Sequence, residues 1–184
     1  MADYLENGVR AMEKSLRDVV LPALDASDPL AREQLNLAID YLGFLRARLD
    51  YATHRLRFEL ELYRDMAAAV LDFVGGALPA EALGAARAEA LPLIADAWAS
   101  SADLRTAVGR LSEEIDALVA CAEEQGDEAL RVGLGRIVHD ATRHWIDLDR
   151  AWYAPIAVDP DDPGLKPLES FFPYRAPAGA RAAA

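Results

Sequence analysis

PLAREQLNLAIDYLGFLRARLDYATHRLRFELELYRDMAAAVLDFV, residues 29–74, decides the fold. Counting in sevens from Leu35 gives Leu42, Leu49, Leu56, Tyr63 and Val70, interleaved with Ala38, Leu45, Ala52, Met66 and Phe73. That spacing is a helical packing seam. A second series in the same stretch, Leu37, Tyr41, Phe44, Tyr51, Phe58 and Leu62, lies roughly 100° further round a helix of 3.6 residues per turn. So wide an apolar arc has to be enclosed on two sides, by helices of the same subunit or of a second copy. As one straight helix the stretch would approach about 70 Å at 1.5 Å per residue, more than a domain of this size spans. Either it bends, most easily at Gly43 or in the polar cluster from Asp50 to Arg57, or it reaches another subunit.

Working outward, Leu5, Val9, Met12, Leu16 and Val19 repeat by four and three, which predicts a first helix over 2–26 with all five on one face. Pro22 should bend or weaken its end, and Ser27-Asp28-Pro29 reads as a cap with proline in the following first turn. Gly75-Gly76 and Pro79 stop the long spine. A shorter helix over 80–99 carries Leu83, Leu91, Ile94 and Trp98, with a kink expected at Pro92. Ser100 or Ser101 caps a fourth helix built on Leu104, Val108, Leu111, Ile115 and Leu118, and Gly126 ends it. Asp127 caps a fifth, to about Tyr153, with Leu130, Leu134, Ile137, Ala141, His144 and Leu148 on its seam and Trp145 and Trp152 beside it. After Pro155 five further prolines predict an extended arm. Its segment Leu168–Arg175, with Phe171, Phe172 and Tyr174, is expected to dock in a groove while Ala176–Ala184 frays. The expected architecture is all-α: a bundle of about five helices over 1–154 with one very long spine helix, then a Pro-rich arm over 155–184.

Composition agrees. The chain has 184 residues, 53% of them hydrophobic, and much of that fraction is helix-favouring alanine. Its net charge of −12, from 31 acidic and 19 basic residues, repels phosphate backbones and anionic lipid, so nucleic acid and membrane are not expected partners. No run reaches the roughly 18 to 20 apolar residues that span a bilayer. The near-absence of lysine, with abundant Arg and Ala, suggests a bacterial source. A single cysteine, Cys121, and a polar N-terminus without a signal-peptide pattern point to the cytoplasm.

Two ionisable residues fall on seam positions: Glu59, in the series Ala38, Leu45, Ala52, Glu59, Met66, and His144 in the fifth helix. Level with one another inside a bundle, they could act as acid and base, with Asp140 and Asp147 flanking His144. The plainer reading pairs Glu59 with Arg48 or Arg55. No metal site is expected, because di-metal bundles need Glu-x-x-His motifs and the chain has none, and His139 and His144 are five apart. No cofactor motif is present, Gly133-x-Gly135 reads as close packing, and Cys121 as a small filler. Arg48, Tyr51, Arg55 and Phe58, extended by Trp145 and Trp152, could form a pocket in which guanidinium groups hold an anion and aromatics cover an apolar tail.

Three functions follow, in order. The first is a non-enzymatic bundle acting by self-association as a homodimer, with an accessory or scaffold role toward a protein partner. The second is a protein that binds an anionic, apolar-tailed small molecule between helices. The third is an enzyme using Glu59 and His144.

Overall fold

The computed structural model describes residues 4–156 and 163–172, and all regular structure among them is helical. The helices are α1 (Tyr4–Ser15), α2 (Leu21–Ala23), α3 (Pro29–Arg48), α4 (Ala52–Val74), α5 (Glu81–Ala95), α6 (Ser101–Gln125) and α7 (Glu128–Tyr153). Their ends are fixed by local chemistry. Asp28 accepts a hydrogen bond from the Ala31 amide with Pro29 following it, Ser100 accepts from the Asp103 amide, and Asp127 accepts from the amides of Ala129 and Leu130. Gly126 closes α6 in the left-handed region at φ 68°, where a side chain would be strained.

Two interruptions have clear causes. Pro22 has no amide to donate and its ring crowds the carbonyl four residues back. The preceding turn widens into a π-helix, Leu16–Val20, and the Leu21 amide reaches Leu16 O. The spine breaks between α3 and α4 in a 3₁₀ turn, Leu49–Tyr51, entered at Arg48 (φ −114°, ψ −9°) and closed by Ala52 N–H on Leu49 O. Asp50, Tyr51, Thr53 and His54 are weak helix formers, and their clustering makes this the place to yield.

The chain divides into two compact units, Met1–Ala52 with Trp152–Gly164 and Thr53–Ala151 with Leu165–Ala184. In the first, α1 packs on α3, and so does the 3₁₀ turn Ala154–Ile156 that follows α7. Phe44 is its hub, stacked with Tyr41 and Tyr153 and edge-on to Trp152. Glu13 of α1 is paired with Arg46 of α3 and with Arg17. Of the five α1 seam residues only Val9 is buried and Leu16 half-buried, while Leu5, Met12 and Val19 are each more than half exposed. The periodicity placed them on one stripe, but α3 covers only its edge.

The second unit is a bundle of α4–α7. Leu60, Ala67, Val70, Leu83, Leu104, Leu111, Leu118 and Leu134 form its closed interior, and α5 lies along α6. Phe73 lies against Gly133 so closely that a Cβ there would collide with its ring, which gives the expected close-packing role of Gly133 a named partner. α5 stops at Ala95, earlier than the sequence suggests. Arg57 donates to the carbonyls of Leu93, Ile94 and Asp96, and Asp96 turns back to accept the Trp98 amide. Trp98 therefore stands on a braced loop, 92% exposed, rather than on a helix. Leu168–Phe171 form a 3₁₀ turn. Leu168 and Phe172 are buried, and Phe171 and Phe172 pack edge-on to Phe58. This part of the arm docks on its own chain; Pro173, Tyr174, Arg175 and the terminal residues expected to fray lie outside the described residues.

Replacing Leu111, fully buried, by Ala leaves a cavity and should lower the free energy of unfolding by about 2–5 kcal/mol. Ser100→Ala, which removes only a helix cap, should cost about 1 kcal/mol. Urea titrations followed by circular dichroism check both values.

Candidate functional site

Glu59 and His144, the two polar residues on seam positions, are not joined by a hydrogen bond or ion pair. Glu59 is half-buried on α4, with Arg55 one turn before it, and Arg105 of α6 and Asp149 of α7 within electrostatic reach. Removal from water raises its pKa. The Arg55 charge opposes that shift, Asp149 reinforces it, and Arg105 opposes it. Arg55 is spent mainly elsewhere: its Nη2 donates to Asp149 Oδ1 at 2.6 Å, and its guanidinium lies 4.9 Å from the centre of the Trp145 ring. The arrangement is a charge cluster linking α4, α6 and α7, closer to the plain ion-pair reading than to an acid–base dyad, with Arg55 and not Arg48 as the nearby arginine. His144 is exposed, and its Nδ1–H donates to the Asp140 carbonyl one turn back.

The six residues put forward for an anion pocket fall into two sets. Arg48, Tyr51 and Trp152 belong to the first unit, and Arg55, Phe58 and Trp145 to the second. Arg48 Nε donates to Trp152 O at 2.8 Å, and its guanidinium lies over the rings of Phe44 and Trp152, at 5.8 and 5.6 Å. Tyr51 is half-buried in the 3₁₀ turn. In both sets the arginine binds groups of its own unit.

Instead, the second unit has a groove of about 520 Å³ between α4 and α7. Phe58, Leu62, Met66 and Ala69 of α4 and Ile137 and Ala141 of α7 make its apolar surface. The polar groups on it are Glu61, Asp65, Asp140 and His144. On each helix these residues recur at three- and four-residue spacing, which is why they share one face. Arg64 donates to Asp65, whereas no hydrogen bond or ion pair engages Glu61 among the described residues. Asp140 lies 3.5 Å from the exposed His139 ring, and with His144 it also borders a second hollow lined by Arg143, Asp147 and Lys166. The sequence analysis placed Ala141 on the seam of the fifth helix and did not single out Ala69, Glu61 or Asp65, although their three- and four-residue spacing from Phe58 and Leu62 puts them on one face.

Among the described residues no group of three or more His, Cys, Asp or Glu side chains is placed to hold a metal ion, and no helix is long and apolar enough to cross a membrane. The chain matches no protein-family model, no curated protein and no solved structure.

The raised pKa of Glu59 has a defined consequence. A carboxyl that holds its proton more firmly folded than unfolded makes the native state the greater proton binder, so its contribution to stability falls as pH rises above the ordinary 4.5. Glu59→Gln fixes the neutral form. The stability of this variant relative to the wild type should therefore rise between pH 4.5 and pH 7, as measured by urea unfolding at each pH. A constant difference would place Glu59 in a solvated setting.

Proposed function

We propose that the protein acts by association, as a homodimer formed through its α1–α3 hairpin, in an accessory or scaffold role and not as an enzyme. The observation that carries this reading is the surface of the first unit. On α1 and the π turn, Leu5, Met12 and Val19 recur every seven residues, and on α3, Leu30, Leu37 and Tyr41 share one face. All six are more than half exposed. Against them the unit buries only a handful of apolar side chains, chiefly Val9, Ile39, Phe44 and Trp152. Two helices cannot close a core by themselves, and a second hairpin related by a two-fold axis completes a four-helix bundle with one self-complementary surface. Exposed apolar stripes of this extent on a chain otherwise rich in surface charge mark an interaction face.

The α3 stripe borders a groove lined by Gln34, Leu37, Ile39, Asp40, Tyr41 and Phe44 together with Glu13 of α1 and Arg17 of the π turn. Two of its charges, Glu13 and Arg17, are already paired with each other, which leaves Asp40 and the apolar residues to make the contact. Native mass spectrometry of the untagged protein at micromolar concentration should give twice the 20.0 kDa subunit mass. Met12→Glu with Leu37→Glu should return a monomer whose helical circular dichroism is retained, since both side chains are exposed within the subunit. A monomeric wild type would overturn the proposal.

A further inference from the structure

The α4–α7 groove of the second unit offers a different chemistry from the hairpin. Its volume falls within the roughly 300–1,000 Å³ usual for small-molecule sites, and its wall is apolar from Phe58 to Ile137. Ala69 and Ala141 keep it open, because each presents only a methyl group where two helices meet. Glu61, Asp65 and Asp140 are carboxylates, and the neutral His144 ring, with its Nδ1–H given to the Asp140 carbonyl, offers Nε2 as a lone-pair acceptor. Arg64, within electrostatic reach of Glu61, is held by Asp65, and no arginine or lysine lines the groove itself; Arg143 and Lys166, the latter paired with Asp147, lie in the adjoining hollow that Asp140 and His144 also border.

An apolar cleft lined by three carboxylates, Glu61, Asp65 and Asp140, on a chain of net charge −12, disfavours an anionic amphiphile by repulsion. The complement is a molecule with an apolar body and a cationic head rich in N–H donors. We propose that this groove binds an amphipathic primary amine, its hydrocarbon portion along Leu62, Met66 and Ile137 and its ammonium group held by Glu61 and Asp140, with His144 as a third acceptor. An ammonium has three N–H donors to match these three groups.

Decylamine below its micelle concentration is the probe, with decanoate as its charge-reversed counterpart, both titrated calorimetrically into the full-length protein. Saturable one-to-one binding of decylamine and none of decanoate is expected. Glu61→Gln with Asp140→Asn should weaken decylamine binding roughly tenfold or more, the loss of two charge-assisted contacts. Removing two charges elsewhere, by Glu123→Gln with Glu124→Gln at the exposed end of α6, should leave it unchanged. Ala141→Leu fills the cleft and should abolish binding; the surface carboxylate pair provides an independent test if that variant folds poorly. Absence of saturable decylamine binding, equal binding of decanoate, or equal loss in both carboxylate pairs would overturn the proposal.

Discussion

A helix can hide one face against one neighbour, and residues 29–74 carry apolar side chains over far more than one face. Everything else in the structure answers that constraint. The C-terminal half, α4, is met by α5, α6 and α7, and its Leu60, Ala67 and Val70 disappear completely from solvent. The N-terminal half, α3, is met within the chain by α1 and by the residues at the end of α7, which suffice for Ile39 and Phe44 but not for Leu30, Leu37 or Tyr41. The same sequence pattern thus produces a finished core on one side of the Leu49–Tyr51 turn and an unfinished one on the other. An unfinished apolar surface is costly to leave in water, at about 25 cal/mol per Å², and a partner removes that cost.

The arginines of the spine show how charge is used to hold this framework. Arg57 ties the end of α5 through three carbonyls, Arg48 binds the Trp152 carbonyl while lying over two aromatic rings, and Arg55 joins α4 to Asp149 above Trp145. A planar fork with several donors suits this work better than a lysine ammonium, and the chain has few lysines. With these cations committed to internal acceptors, the groove between α4 and α7 is left bordered by acids.

Much of this was readable in advance, and the remainder fails for identifiable reasons. The caps at Asp28, Ser100 and Asp127, the stop at Gly126 and the buried seam of α6 are local features, set by residues within a turn or two of one another. The α1 stripe was read correctly as a stripe but not in its burial, because periodicity says which residues share a face and not whether anything covers it. Glu59 and His144 each stand out on their own helix, yet whether they meet depends on the register between helices, to which no spacing within one helix speaks. Trp98 was assigned to a helix because its apolar character fits one; the long-range donation from Arg57 that ends α5 early has no local signature. Ala141 is the subtlest case, since a small residue on a seam permits either tight packing or a cleft.

The three tryptophans sit in three surroundings: Trp98 almost fully in solvent, Trp145 half-buried beneath the Arg55 guanidinium, and Trp152 buried beside Phe44. One reports on the hairpin unit, one on the four-helix unit, and one on neither. The chain therefore carries its own set of fluorophores, in which a red shift from Trp152 signals loosening of the hairpin, a change at Trp145 signals loss of the α4–α7 link, and quenching of Trp98 marks something coming to rest on the braced loop.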